Sequence, residues 1–255
     1  MEGFLHHRLS AWNRVSILGN RNTGKSSLLL NLACLFAELN DLDYGKTIFI
    51  TQKKKVNAAT LPLIFPDPKY NSAMDCQNDK IEEQISTKEE QIREGMNQVG
   101  MKYINDKAGL REYLSSLQLL PDEHLPYLLA LDDFDLYHIE DQEMVPSSSS
   151  GFSGNLHKEA RAIAKTLALL DHAAAFIWGR TRHHLKVLTT FSSQFGDDPV
   201  IKNVMKRWVP AGMTLRPLNN QYTVTLTYCT ENIKISTATT SFEEEPILFS
   251  YEKYH

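Results

Sequence analysis

The residues with the clearest chemical potential form one glycine-rich stretch near the start of the chain. It runs GNRNTGKS and matches the phosphate-loop pattern G-x-x-x-x-G-K-[ST]. In such a loop the glycines let backbone N–H groups curl around phosphate oxygens, Lys25 reaches the β- and γ-phosphates, and Ser26 offers its hydroxyl to Mg²⁺. We expect Lys25 to face solvent while no phosphate is bound. The predicted nucleotide-binding residues are Gly19, Asn20, Arg21, Asn22, Thr23, Gly24, Lys25, Ser26 and Ser27.

A carboxylate that could complete the metal site follows a second apolar segment. Residues 127–131 form a continuous apolar run, which is typical of a strand buried on both faces, and Asp132 follows directly. In phosphate-loop proteins an Asp in this position holds Mg²⁺ beside the loop serine. We predict that role for Asp132. The alternative is an ordinary turn, because Asp133 and Asp135 follow and Asp is common in turns.

The phosphate loop needs a strand before it and a helix after it. Residues 15–18 predict a buried strand, and apolar residues at helical spacing predict a helix over 28–36. A turn at 40–45 then leads to a second predicted strand at 46–51. This alternation predicts an α/β fold: a mostly parallel sheet with helices on both faces, which binds ligands at the carboxyl ends of its strands.

The remaining elements continue this pattern and then depart from it. A strand, two helices and a further strand are predicted at 101–104, 109–120, 156–172 and 174–178. The final strands are not joined by helices, which indicates an antiparallel C-terminal extension of the sheet. They are predicted at 213–216, at 222–228 after a hairpin turn at Asn219–Asn220, and at 247–249.

The most basic stretch of the chain, residues 179–186, follows the predicted strand 174–178. At the carboxyl end of that strand it would lie beside the γ-phosphate and could contact a polynucleotide, although a solvated loop is the alternative. Trp178 could stack on a base, but a Trp that ends a buried strand is more often part of the core. A second basic segment, 52–55, is predicted to form a solvated turn, with a phosphate or DNA contact as the alternative. The DNA-binding candidates are Arg180, Arg182, His183, His184 and Lys186.

Composition sets the broad class of the protein. With 255 residues, of which 42% are hydrophobic and 23% charged, the chain suits a single domain spanning 1–255. Its formal charge of −4 means that any DNA contact must come from a local patch. Three scattered cysteines without C-x-x-C spacing argue against a zinc site and a disulfide framework.

Neither a signal peptide nor a membrane span is predicted, so we expect a soluble intracellular protein without membrane contacts. Residues 67–100 predict a polar insertion, and 144–155 a flexible Ser/Gly-rich loop.

Taken in order, the phosphate loop, the Asp-ended strand, the helix-to-strand unit with its basic loop and the terminal hairpin resemble the core of the RecA-type recombinase family. The resemblance covers most of the chain. It is nearest to the small paralogues that partner a SWIM-domain zinc-finger protein in homologous recombination, through residues 51–55, 102–117 and 131–137. It implies a RecA-like P-loop NTPase core that binds ATP, Mg²⁺ and single-stranded DNA. It also implies a nuclear repair complex with the SWIM-domain protein and with the recombinase or its paralogues.

The chain departs from the recombinase pattern at three places. Recombinases carry a catalytic Glu just past the second strand, where this chain has Lys53. Loss of a general base costs about 10²–10⁴-fold in rate, so we expect a slow ATPase unless another carboxylate substitutes, and Asp133 is the nearest in sequence. Arg180 replaces the amide that senses the γ-phosphate, and such a cation could neutralise transition-state charge or contact DNA. The filament-forming Phe-x-x-Ala motif is absent, so self-polymerisation is not expected.

Three functions are compatible with these features. The first is an ATP-dependent accessory protein of homologous recombination that binds single-stranded DNA. The second is a nucleotide-loaded structural subunit without significant hydrolysis, which Lys53 favours. The third is a P-loop small-molecule kinase in which Arg180 and Arg182 act as lid cations, although the terminal hairpin argues against it.

Overall fold

The structure is a computed structural model that describes residues 13–20, 23–38, 46–52, 94–138, 152–192, 198–209, 211–218, 221–227, 232–238 and 248–252. Several sequence predictions concern residues outside these ranges. They are the loop residues Arg21 and Asn22, the turns 40–45 and 219–220, the lysines 53–55, most of the insertion 67–100 and most of the loop 144–155.

The described strands form one nine-stranded sheet in the order β3-β2-β4-β5-β1-β6-β7-β8-β9. The six strands from β3 to β6 in this order are all parallel, and β7, β8 and β9 continue the sheet in antiparallel fashion. The predicted α/β class, with a parallel sheet and an antiparallel extension, is therefore confirmed. The strands are β1 (Arg14–Gly19), β2 (Lys46–Thr51), β3 (Val99–Tyr103), β4 (Pro126–Leu131), β5 (Lys186–Ser192), β6 (Ala211–Leu218), β7 (Gln221–Thr227), β8 (Asn232–Ala238) and β9 (Leu248–Glu252).

Helices cover both faces of the parallel part of the sheet. Helix α1 (Lys25–Glu38) packs on one face, where its leucines and Phe36 meet apolar side chains of β1, β2, β4, β5 and β6. The other face is covered by α2 (Lys107–Ser116), α3 (Phe152–Thr181) and α4 (Pro199–Trp208). Asp106 and Asp198 cap α2 and α4 by accepting hydrogen bonds from backbone N–H groups. Within the described residues, no helix is long and apolar enough to cross a membrane.

The predicted strand at 174–178 is wrong, because these residues form the end of α3. Leu170, Ala173 and Ile177 are buried at helical spacing, whereas Ala175 and Trp178 are exposed. Alanine is the strongest helix former, and a short apolar run cannot by itself distinguish a helix from a strand. The strand of this region is β5, which the sequence analysis missed together with α4 and β8.

A short 3₁₀ helix, Phe134–Tyr137, follows β4 and leads to a buried histidine. His138 packs against the Phe134 ring with a centroid separation of 4.8 Å. Neither of its ring nitrogens has a hydrogen-bond partner among the described residues. Burial, with smaller contributions from nearby Arg111 and Lys107, lowers the pKa of His138 from 6.5 to about 3. The neutral imidazole is therefore the form that the native state keeps.

The free energy of unfolding should consequently fall as the pH is lowered through this window. The pKa of His138 is lower in the native than in the unfolded state. The neutral imidazole therefore contributes its full amount to the free energy of unfolding above about pH 6.5, and this amount is lost as the pH falls towards 3. At about pH 5 the loss should reach about 2 kcal/mol. Urea unfolding at pH 7 and pH 5 measures it. His138→Leu should reduce the difference between the two pH values, whereas His172→Gln, at an exposed position of α3, should retain it.

Candidate nucleotide site

The phosphate loop connects β1 to α1 through a turn that leaves little room for side chains. A Cβ atom on Gly19 would lie 2.7 Å from Thr23 Oγ1 and 3.2 Å from the carbonyl oxygen of Leu215. Gly24 has a φ of 74°, in the left-handed region that favours glycine. The two glycines of the motif are thus required by the backbone path, one for close approach and one for conformation.

Lys25 lies inside this turn. Its side chain is only 6% exposed, and Nζ donates a hydrogen bond of 2.5 Å to the carbonyl oxygen of Asn20. Thr23 Oγ1 donates to the same carbonyl over 2.9 Å. The expectation that Lys25 faces solvent is therefore wrong, because its ammonium group donates back to a carbonyl oxygen of the loop itself. A buried ammonium at the first residue of a helix, whose N-terminus carries partial positive charge, makes an environment that favours an anion.

The structure brings together the two residues predicted to hold Mg²⁺. Ser26 Oγ donates a hydrogen bond of 2.7 Å to Oδ1 of Asp132, which is buried at the end of β4. Thr190 Oγ1, on β5, donates to the same carboxylate oxygen over 3.0 Å. Thr51 Oγ1, the last residue of β2, donates to Oδ2 over 3.2 Å. Hydroxyl groups from three different elements therefore fix the orientation of this carboxylate.

These residues suit Mg²⁺ with a bound nucleotide. Mg²⁺ takes oxygen ligands and is usually held by one or two carboxylates together with substrate phosphates. Ser26 and Asp132 supply such oxygens, and Lys25 supplies a positive charge beside them. Within the described part of the chain, no group of three or more His, Cys, Asp or Glu side chains could hold a metal.

The two carboxylates after Asp132 occupy different environments. Asp133 has a left-handed backbone, with φ 44° and ψ 57°, and its N–H donates to Thr190 Oγ1 over 2.6 Å. Asp135 is only 2% exposed, and its Oδ2 accepts hydrogen bonds from Ser192 Oγ at 2.7 Å and from the Ser192 N–H at 3.3 Å. Its Oδ1 has no partner among the described residues. From the sequence, Asp135 was predicted only as a turn residue, and Thr51, Thr190 and Ser192 were not predicted as site residues.

The basic stretch 179–186 lies at the opposite edge of the sheet from the phosphate loop. Val187 pairs with Arg14 at the start of β1, whereas Ser192 pairs with Gly19 at its end. Because β1 and β5 are parallel, the basic stretch precedes β5 at the amino edge, roughly 17 Å along the strands from the loop. Its predicted position beside the γ-phosphate is therefore wrong. The error follows from placing a strand at 174–178.

The predicted DNA-binding residues also differ in accessibility. Lys186 is only 8% exposed; its Nζ lies 5.6 Å from the centroid of the Phe36 ring, and burial lowers the pKa of its ammonium. Arg180 forms an ion pair with Asp122 and donates to the carbonyl oxygen of Leu120 over 3.1 Å. Arg182 and His184 are exposed, and His183 is half-buried. Lys186 is thus poorly placed to reach a phosphate, and Arg180 is already engaged.

Trp178 is 40% exposed near the end of α3, so the core position considered for it is wrong. Its ring stacks on His184, with a centroid separation of 4.2 Å and an interplanar angle of 9°. Arg180 also cannot stand in for the γ-phosphate-sensing amide, because it does not follow a strand at the carboxyl edge. An amide, Gln194, follows β5 by two residues in the sequence but lies outside the described residues, as does Lys53 after β2.

No protein-family model matches this sequence, and no curated protein matches it either.

Proposed function

We propose that this chain is a RecA-like P-loop protein that binds ATP with Mg²⁺. The observation that carries the proposal is the 2.7 Å hydrogen bond between Ser26 and Asp132. These residues are far apart in sequence, and they meet at the carboxyl edge of a parallel sheet, where open α/β folds bind their ligands. When bound, Mg²⁺ would supply positive charge that stabilises the negative charge of the phosphates. Ser26 and Asp132 would hold it, and Lys25 would contact the phosphates.

The RecA-type assignment rests on the order of the parts along the chain. A phosphate loop follows β1, Asp132 follows the central strand β4, a helix-to-strand unit follows as α3 and β5, and antiparallel strands close the sheet. On this basis we extend the proposal to a nuclear accessory protein of homologous recombination that binds single-stranded DNA. Its proposed partners are a SWIM-domain zinc-finger protein, in a hetero-complex, and the recombinase or its paralogues.

Hydrolysis is proposed to be slow, because Lys53 occupies the sequence position of the recombinase catalytic Glu. The same feature favours the second candidate function, a nucleotide-loaded structural subunit. Both candidates require ATP·Mg²⁺ to bind, and they differ in whether the γ-phosphate is released.

One two-stage experiment tests these functions. Calorimetric titration with ATP, in the presence and absence of Mg²⁺, measures binding, and a single-turnover assay then follows release of the γ-phosphate with and without single-stranded DNA. Slow release that DNA accelerates supports the accessory ATPase. Tight Mg²⁺-dependent binding without release supports the structural subunit, and phosphate transfer to an added nucleoside supports a kinase. Absence of ATP binding contradicts all three.

DNA binding by the amino-edge residues predicts a specific salt dependence. If Arg182, His183 and His184 all contact phosphates as cations, log affinity for a single strand should fall against log salt with a slope of roughly −2, taking about −0.7 per contact.

Fluorescence anisotropy with a labelled oligonucleotide measures this slope. Arg182→Ala should flatten the slope by roughly 0.7. Arg161→Ala removes an exposed cation from the middle of α3 and should leave the slope unchanged. Equal effects of the two substitutions on the slope would contradict DNA binding at the amino edge.

A further inference from the structure

Two buried carboxylates at the carboxyl edge are held by hydroxyl groups of the same strand. Thr190 Oγ1 donates to Asp132 over 3.0 Å, and Ser192 Oγ donates to Asp135 over 2.7 Å. Residues two apart on a strand project from the same face, so these hydroxyls form one row on β5. The two carboxylates therefore lie along this row, and the one at Asp135 lies nearer the end of the strand.

The row faces the phosphate-loop helix. Leu188, which precedes Thr190 by two residues, belongs to the core beneath α1, whereas Val187 and Phe191 belong to the core beneath α3. Phe134 and Tyr137, in the same 3₁₀ helix as Asp135, also pack into the core beneath α3. The carboxylate of Asp135 is thus directed to the nucleotide side of the sheet, while two of its neighbours anchor the other side.

The position of the Asp135 carboxylate along the strand direction places it beside the phosphate loop. Ser192 pairs in register with Gly19, the first residue of the phosphate loop, and lies about 7 Å beyond Thr190 towards the carboxyl edge. Thr190 is at the level of Asp132, which marks the predicted Mg²⁺ position. The carboxylate of Asp135 therefore lies outward from the level of Asp132, towards the carboxyl edge of the sheet.

The two oxygens of this carboxylate differ in their hydrogen bonding. Asp135 Oδ2 accepts both hydrogen bonds from Ser192, whereas Oδ1 is buried and has no hydrogen-bond partner in the described part of the chain. Buried polar atoms are nearly always hydrogen-bonded, so an exception requires an explanation. A carboxylate oxygen can only accept a hydrogen bond while it is ionised, and a water molecule is the smallest donor that could supply one.

We propose that Asp135, oriented by Ser192, is the carboxylate that positions and activates the water for ATP hydrolysis, in place of the missing Glu. This inference rests on the proposed ATP site. The water oxygen would form a bond to the γ-phosphorus with its lone pair, and the bond from that phosphorus to the β–γ bridging oxygen would break, leaving its electron pair on ADP. One proton of the water would pass to Asp135 Oδ1, giving ADP and phosphate. Ser192 acts as a positioning residue.

Asp133, the nearest substitute by sequence, is less suited to this role. Its backbone adopts the left-handed conformation and turns the chain away from the strand direction, and its N–H is bound to the hydroxyl that holds Asp132. Asp133 also lies beyond the end of β4, in the turn that precedes the 3₁₀ helix. Asp135 shares that side through the hydroxyl row of β5.

The test compares Asp135→Asn, Ser192→Ala, Asp133→Asn and the surface control Glu112→Gln in the full chain. Three quantities are measured: kcat, the Kd of ATP·Mg²⁺, and the Kd of ADP·Mg²⁺ with fluoroaluminate, which mimics the transferring phosphoryl group. Asp135→Asn should lower kcat by about 10²-fold or more and leave the ATP Kd within about twofold. The ratio of the ATP·Mg²⁺ Kd to the Kd of the fluoroaluminate complex should also fall at least about tenfold in this variant, because this ratio reports transition-state contacts. Ser192→Ala should lower kcat by about tenfold, again without a change in ATP Kd.

Each alternative result has a defined meaning. Wild-type kcat and fluoroaluminate affinity in Asp135→Asn overturn the inference, and so does a loss that appears in Asp133→Asn instead. If Asp135→Asn does not fold, Ser192→Ala decides alone, and an unchanged kcat in that variant overturns the inference. Absence of turnover in the wild-type chain also overturns it. Failure of the wild-type chain to bind ATP·Mg²⁺ contradicts the proposed function itself, whereas failure confined to turnover contradicts only the role of Asp135.

Discussion

Lys25→Ala is expected to weaken ATP binding by about 10²-fold or more, because removing one partner of a buried, hydrogen-bonded charge pair costs about 2–5 kcal/mol. The ammonium lies inside the loop, at the N-terminus of α1, where it would contact the β- and γ-phosphates. Isothermal titration calorimetry with ATP·Mg²⁺ measures the change. Unchanged affinity would contradict the assignment of the phosphate loop.

The burial of Lys25 changes what should happen to stability in the same variant. Because its ammonium donates to the carbonyl oxygen of Asn20, the alanine variant loses this contact, although Thr23 Oγ1 still donates to that oxygen. Gly19 and Gly24 still permit the close approach and the left-handed conformation that the loop requires. We therefore expect the fold to persist, with the free energy of unfolding reduced by about 1 kcal/mol. Lys165→Ala, which removes an exposed lysine of α3, is the matched control for both measurements.

Asp132→Asn is expected to remove most of the Mg²⁺-dependent gain in ATP affinity, at least about tenfold, while leaving Mg²⁺-independent binding nearly unchanged. The amide is isosteric with the carboxylate and its oxygen can still accept from Ser26 and Thr190, so the substitution removes charge rather than shape. Titrations with ATP, with and without Mg²⁺, measure the difference.

Asp133→Asn provides the comparison for this prediction. Asp133 follows Asp132 directly in the chain, but its left-handed backbone turns the chain away from the end of β4, and Ser26 donates to Asp132, so metal-dependent binding should remain intact. Equal losses in the two variants would mean that the metal site is shared between both carboxylates. That result would contradict the division of roles that follows from the Ser26–Asp132 hydrogen bond.

The elements that could be predicted best are those whose signals are local. The strand at 46–51 was predicted with the bounds of β2, and the phosphate loop was correctly placed between β1 and α1. Both depend on short-range patterns, namely a β-branched and aromatic run in one case and a glycine-dependent turn in the other. Among the antiparallel strands, β7 was similarly predicted from alternation, which has a period of two residues in a half-buried strand.

The end of α3 shows where local reasoning fails. Residues 174–178 contain five consecutive apolar side chains, and nothing within so short a window distinguishes a buried strand from the last turns of a helix. The burial of Leu170, Ala173 and Ile177 settles the question only once the sheet beneath them is known. Because of that single error, five candidate DNA-binding residues were predicted at the carboxyl edge of the sheet, whereas they lie at the amino edge.

The sequence by itself determined that a glycine-rich stretch of the phosphate-loop pattern lies between a strand and a helix, that Asp132 follows a buried strand, and that the fold is α/β, because backbone sterics and hydrophobic periodicity act between near neighbours. Only the tertiary structure decided which hydroxyls hold Asp132, that Lys25 is buried, that Asp135 is held by Ser192 beside the loop, and that residues 179–186 lie at the far edge. These facts depend on strand order and register. Both are set by packing between segments that are distant in sequence, so no local pattern contains them.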